Sequence, residues 1–253
     1  MTTKKLSTYF HRILDIASFV GIDDSLNGLQ VDNDGSKINK VAFATDACME
    51  TFERAAEGGA GCLFVHHGLF WGKPLVIKGA LRKRLAFLFE KNIALFAVHL
   101  PLDQDPLLGN NAALADLLGM QNLEPFGLYH GKKIGFKGTL AQALSIEEAV
   151  KKISFKDRKP AAIHPFGPRE NITCAVVSGG AAFESLEAID QGIDLYVTGE
   201  ASHSVYHHAL EAKLNMIAGG HYSTEVWGVR RVMAKLAEDT NLEVEFIDAP
   251  TGL

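Results

Sequence analysis

Cys62-Leu63-Phe64-Val65-His66-His67-Gly68-Leu69-Phe70-Trp71-Gly72 decides how this chain is read. The apolar run Cys62 to Val65 predicts a strand, and two adjacent imidazoles follow where it gives way to a glycine loop. That is how a strand delivers polar side chains to the rim of a sheet. Adjacent strand residues face opposite ways, so both histidines reach one site only if the chain bends at Gly68. Taken alone, the dipeptide reads equally well as a structural pair capping the strand. Two more His-bearing strand ends, at His99 and His221, favour a site.

Working outward, the same alternation recurs. Upstream, Leu6, Phe10, Ile13, Leu14, Ala17 and Val20 have helical spacing over residues 3–20. Val41 to Ala44 predicts a buried strand, with Thr45-Asp46 capping a helix to about Glu57. Downstream, a helix over 79–91 places Leu81, Leu85, Leu88 and Phe89 on one side, and Ile93 to Val98 is a strand ended by His99. Asn110 or Asn111 caps a helix that closes at Gly119. Residues 127–145 read as a short β insert, 146–153 as a helix, and 155–168 as a Lys/Pro-rich connection. Strands at 172–177, 195–197, 216–218 and 242–247 alternate with helices to Gly192, over 202–213, and from a Ser223 or Thr224 cap onward.

Strand–helix alternation of this kind implies an α/β fold with a largely parallel sheet. The halves look duplicated. Leu63-Phe64-Val65 matches Leu195-Tyr196-Val197, and His99-x-x-x-Asp103 matches His221-x-x-x-Glu225. The expected architecture is two similar α/β lobes with mixed sheets, 1–126 and 127–253, intertwined, with a metal site in the cleft between them.

Composition narrows the function classes. The chain has 253 residues, 47% of them hydrophobic and 22% charged, enough for a real core. No apolar run reaches the roughly 20 residues of a membrane span, and Met1 to Val20 lacks the pattern of a signal peptide. A net charge of −5 gives no global case for nucleic-acid binding. Cys48, Cys62 and Cys174 are odd in number and widely spaced, which reads as buried free thiols in a reducing, cytoplasmic setting.

Four strand ends carry His66-His67, His99 with Asp103, Glu200, and His221 with Glu225. In open α/β sheets ligands sit at the carboxyl ends of strands, so these groups can converge. Imidazoles with carboxylates suit zinc, iron, manganese, cobalt or nickel, and a second carboxylate can bridge two ions for metal-assisted hydrolysis. Scattered structural histidines are the competing reading. His11 and His130 read as surface and His164 as loop structure. His203 and His207, four apart, either face the cleft with Glu200 or line a solvated helix face. The basic runs Arg82-Lys83-Arg84 and Lys151-Lys152 to Lys159 read as solvated surface. No phosphate loop of Walker or Rossmann type is present.

Three ordered motifs carry a resemblance: His66-His67-Gly-Leu-Phe-Trp, His99-Leu-Pro-Leu-Asp103 and Gly219-Gly220-His221-Tyr-Ser-Thr-Glu225. With Asn27-Gly28-Leu29-Gln30 and Thr198-Gly199-Glu200, they resemble the dinuclear-metal-centre family known as GTP cyclohydrolase I type 2, or Nif-three-like. The similarity covers nearly the whole chain and fits the short form, without an inserted domain of about a hundred residues. It implies metal ligation by His66, His67, Asp103, His221 and Glu225, with Glu225 the bridge and His99 a near neighbour of the site. It implies two divalent ions per chain, iron, zinc or manganese, and a toroidal homohexamer.

The resulting expectation is a metal-dependent hydrolase acting on a nucleotide or related small molecule, nominally GTP, opened at its purine ring with loss of formate. Glu200, His203 and His99 are the candidate catalytic groups, and Phe70 or Trp71 could stack on a base. The alternative is a non-catalytic, metal-bound hexameric ring acting as a regulatory, DNA-associated or protein-binding factor. A third reading has metal serving stability alone.

Overall fold

The computed structural model describes residues 1–253. The chain forms two compact units, Met1–Leu102 with Gly228–Ala249, and Asp103–Trp227 with Pro250–Leu253. Each has its own mixed sheet and its own apolar core. No helix is long and apolar enough to cross a membrane.

The first unit begins with α1 (Thr3–Ile13), where the Thr2 hydroxyl caps the Lys5 amide and Leu6, Tyr9 and Phe10 turn inward. The helix expected to residue 20 stops at Ile13. Leu14 takes extended backbone, and Leu14, Ile16 and Phe19 bury their side chains from a short turn instead. Burying each such side chain contributes about 1.5–3 kcal/mol, more than the few remaining helical residues would supply.

Next come β1 (Gly28–Val31), β2 (Lys40–Asp46), α2 (Met49–Glu57), β3 (Cys62–His67), α3 (Gly79–Lys91), β4 (Ala94–Ala97) and α4 (Leu100–Gln104). β2, β3 and β4 run parallel, and β1 is antiparallel to β4. Alternation splits the sheet faces. Phe43, Phe64 and Phe96 belong to one face, with Phe10 of α1 packed 4.7 Å from Phe64 and 5.2 Å from Phe96. Ala42, Ala44, Leu63, Val65, Leu95 and Ala97 form the core with Phe52, Leu85 and Leu88. The cap of α2 is Cys48 with Thr51, not Thr45-Asp46. In α3, Leu85 and Leu88 are buried, while Phe89, expected beside them, is 65% exposed.

The second unit holds α5 (Asn110–Leu118), β5 (Met120–Tyr129), β6 (Lys132–Leu144), α6 (Ile146–Ile153), β7 (Ala162–His164), β8 (Asn171–Val176), α7 (Ser185–Asp190), β9 (Leu195–Thr198), α8 (His203–Ala212) and β10 (Asn215–Ala218). The expected β insert is a longer hairpin, β5–β6. Its sheet runs β5-β6-β8-β9-β10-β7, with β8, β9 and β10 parallel. A reciprocal cap between Ser145 and Glu148 starts α6. The internal repeat is visible in the topology. Leu63-Phe64-Val65 and Leu195-Tyr196-Val197 each occupy the middle strand of a parallel triplet, and all six residues are fully buried.

The long α9 (His221–Asp239) follows, and the division into units falls inside it, after Trp227. The chain then adds β11 (Glu243–Phe246) to the first sheet, parallel to β2.

Candidate functional site

In the first unit, β3 and the segment just after β4 bring three imidazoles together. One ring nitrogen of each of His66, His67 and His99 lies within 4.8 Å of the others. His66 is fully buried, and its Nδ1 donates to the Val98 carbonyl at 3.0 Å. His67 Nδ1 meets Asp46 Oδ1 at 2.9 Å, and His99 Nδ1 meets Asp23 Oδ1 at 2.9 Å. Each Nδ1 therefore bears the proton against a group that only accepts, which puts the ring lone pair on Nε2. A carbonyl or carboxylate behind each ring is the arrangement that orients metal-binding histidines and raises their basicity.

The sequence builds this locally. Asp46 is the register partner of His67 across β2 and β3, so a parallel pairing sets the carboxylate beside the ring. The stretch Asn27 to Gln30 is scaffolding. Asn27 Oδ1 accepts the His99 amide at 2.7 Å, and Asn27 Nδ2 donates to Asp23 Oδ2 at 2.8 Å. Burial opposes charge on Asp23, but bonds from His99, Asn27 and the Ser25 amide hold its carboxyl below the usual range. Gln30 Oε1 accepts the Leu69 amide at 2.7 Å, and a Cβ at Gly68 would overlap both Gln30 and Ala97. The turn after His67 thus requires glycine. Trp71 stands edge-on to His99, ring centroids 5.0 Å apart, and its Nε1 donates to the Gly68 carbonyl. Phe70 packs against the core instead.

The second unit gathers carboxylates with one imidazole. Asp103 is 5% exposed, and its Oδ1 accepts from Asn110 Nδ2 at 2.9 Å and Ser178 Oγ at 3.0 Å. Asn110 and Asn111, expected as helix caps, are fully buried. Gly109 caps α5, while Asn111 joins the Ile134 carbonyl to the Ser178 amide. A carboxylate oxygen of Asp103 lies within 4.8 Å of one of Glu225, which is itself 3% exposed. Glu225 Oε2 meets His221 Nε2 at 3.1 Å, and His221 Nδ1 meets Glu200 Oε1 at 2.6 Å. Burial would lower the His221 pKa, but Glu225 and then Glu200 outweigh it and raise it to about 9.

Tight glycine turns hold this set. Gly179 has φ +67°, and a Cβ there would overlap Glu225 Oε1 and sit 3.3 Å from His221 Nε2. A Cβ at Gly199 would press on the Gly179 carbonyl at 2.7 Å and on Thr224 Oγ1 at 2.8 Å. Helix α9 begins at His221, ahead of the expected Ser223 or Thr224 cap. Thr224 Oγ1 instead accepts the Gly179 amide at 3.1 Å and donates back to the helix. His203 and His207 lie on the exposed side of α8, where His207 stands edge-on to Tyr206.

Sequence reasoning singled out the imidazoles and acidic groups but missed Asp23, Asp46, Asn110 and Ser178, which hold them. The available signal was a polar residue at a strand end or turn beside a histidine-bearing strand. Cys62 and Cys174 are buried free thiols, pushed up in pKa by burial. Cys48 is only half-buried.

The Duf34/NIF3 (NGG1p interacting factor 3) family model matches residues 1–252. Proteins named GTP cyclohydrolase 1 type 2 homolog from Treponema pallidum and Archaeoglobus fulgidus are 39% and 40% identical to this chain, each over 100% of both chains. The crystal structure of TTHA1606 from Thermus thermophilus is similar at a TM-score of 0.89 and 37% identity, again over 100% of both chains. These full-length matches agree with the mixed α/β sheets and the His-bearing strand ends, and the chain belongs to the Duf34/NIF3 family.

Proposed function

We propose that this protein holds two divalent metal ions and acts as a metal-dependent hydrolase on a nucleotide or related small molecule, nominally GTP. The observation that carries the reading is chemical. Four imidazoles, His66, His67, His99 and His221, are each held through Nδ1 by a carbonyl or carboxylate. Metal-ligating histidines almost always donate their second ring N–H in this way. His66, His67, Asp103, His221 and Glu225 would hold the ions, with Glu225 between them. Nitrogen and carboxylate donors of this mix fit iron, zinc or manganese. Such ions, when bound, activate water and polarise a substrate oxygen.

The chain's own groups have separable tasks. Asp46, Asp23 and Glu200 fix the rings they bond. Ser178 and Asn110 donate to Oδ1 of Asp103 and would orient its carboxylate for the ligating role. Glu200, 53% exposed at its side chain, can pass a proton between His221 and solvent. Trp71, beside His99, offers a face for a purine. The name carried by the Treponema pallidum and Archaeoglobus fulgidus relatives supports GTP as the first substrate to test. A homohexamer and a cytoplasmic setting are part of the proposal, the latter consistent with three free thiols.

The test is turnover of GTP by metal-loaded protein, wild type against Glu225→Ala. Turnover lost in the variant supports the enzyme. Metal binding with no turnover of any nucleotide supports a non-catalytic, metal-bound regulatory ring instead. Salt-sensitive DNA binding would assign that ring to DNA.

A further inference from the structure

Thr45 reads from sequence as part of the α2 cap, but that cap is Cys48 with Thr51 and leaves the Thr45 hydroxyl unused. Thr45 is 1% exposed, and its Oγ1 is buried with no hydrogen-bond partner in the protein. A threonine hydroxyl offers one donor and two acceptor positions, and a buried one is normally bonded. Such an atom calls for a partner that the chain does not supply.

Register places this hydroxyl beside His66. Ala44 pairs with Val65 and Asp46 with His67 across parallel β2 and β3, so Thr45 stands opposite His66. Two positions earlier on the same face, the Phe43 and Phe64 rings lie 5.4 Å apart. Thr45 and His66 therefore share that face, at the carboxyl ends of their strands. The His66 ring is turned so that Nδ1 donates to the carbonyl of Val98, which follows β4. Nδ1 and Cδ2 flank Cγ on opposite sides of an imidazole, and Nε2 is bonded to Cδ2. The Nε2 edge is thus presented on the β2 side, where Thr45 stands.

We propose that Thr45 is a substrate-contacting residue of this site, whose hydroxyl donates a hydrogen bond to an anionic oxygen of the bound substrate next to Nε2 of His66. The inference deepens the metal reading and rests on it, since the ions are what would draw an anionic oxygen there. The three imidazoles have no N–H left for such an oxygen, because each Nδ1 proton is spent on Val98, Asp46 or Asp23. Thr45 supplies the missing neutral donor, already desolvated and held on a strand.

The experiment compares full-length wild type, Thr45→Val and Thr45→Ser in two states. In metal-free protein, valine replaces an unbonded hydroxyl with a methyl of the same shape. Thr45→Val should therefore melt at or above the wild-type temperature, by about 2–4 °C. In cobalt-loaded protein, inorganic phosphate is titrated against the visible bands of the metal. Cobalt content should be the same in all three proteins. Phosphate should bind about tenfold more weakly to Thr45→Val and within about threefold of wild type to Thr45→Ser. A lower melting temperature for metal-free Thr45→Val would show that the hydroxyl already has a structural partner, and would overturn the proposal. Reduced cobalt content in Thr45→Val would make the hydroxyl a support for the ligands, with the same consequence. So would equal phosphate affinity in wild type and Thr45→Val, or no response to phosphate at all. Failure of wild type to bind cobalt would instead sink the metal reading, and this inference with it.

Discussion

Replacing Gly179 with alanine tests the second unit's geometry most sharply. Gly179 has φ +67°, and left-handed backbone costs an alanine about 1 kcal/mol. The added methyl also overlaps Glu225 Oε1, and that carboxylate cannot swing away freely. It is 3% exposed and pairs with His221 Nε2 at 3.1 Å, so yielding weakens an ion pair whose carboxylate is buried. With the backbone cost, the total comes to roughly 3 kcal/mol. Gly192 is the internal control. It has φ +65° with nothing within 4 Å of where an alanine methyl would stand, so Gly192→Ala carries the backbone cost alone. At about 2–4 °C per kcal/mol for a chain of this size, Gly179→Ala should melt roughly 6–12 °C below wild type and Gly192→Ala only about 2–4 °C below. Thermal unfolding of metal-free protein by circular dichroism reads both. Equal shifts in the two variants would refute the claim that Glu225 is held against Gly179.

Three further outcomes follow from named contacts. Asp46→Asn keeps the shape beside His67 but removes the charge, and should weaken zinc binding about tenfold in a chelator competition; unchanged affinity would mean that Asp46 does not support a ligand. Ser145→Ala removes half of the reciprocal cap on α6 and should cost about 1 kcal/mol in urea unfolding, with an unchanged midpoint counting against the cap. Burial opposes charge on Glu187, but the Lys133 ammonium and the Leu128 amide lower its pKa below 4.5. Its folded pKa is depressed, so its contribution is present above about pH 4.5 and lost as pH falls through the lowered value. The stability gap between wild type and Glu187→Gln should therefore be wider at pH 7 than at pH 3, and a gap independent of pH would contradict this.

Much of the architecture is legible because apolar runs and glycine turns are local signals. Cys62 to Val65 and Leu195 to Val197 read as strands and are the middle strands of parallel triplets. Helix ends were less legible, because tertiary burial decided them. Leu14, Ile16 and Phe19 continue the helical spacing of α1 yet bury from a turn. Thr224 has the chemistry of a cap but spends its hydroxyl on the Gly179 loop. Asn110 and Asn111 look like a helix start, and only the fold reveals that both are buried beneath Asp103 and Ser178. Asp46 reads as a cap until the β2–β3 register sets it beside His67. Asp23 lies 76 positions from His99, a contact that no local pattern encodes. The groups that would do the chemistry stood out by residue type, whereas those that position them look like ordinary turn residues.

The central claim is that the anchored imidazoles and carboxylates hold metal. Elemental analysis of purified protein, wild type and His67→Ala, tests it most directly. The account predicts about two ions per chain in wild type, falling sharply in the variant. No stoichiometric metal, even after reconstitution with iron, zinc and manganese, would contradict it and leave the histidines as structure.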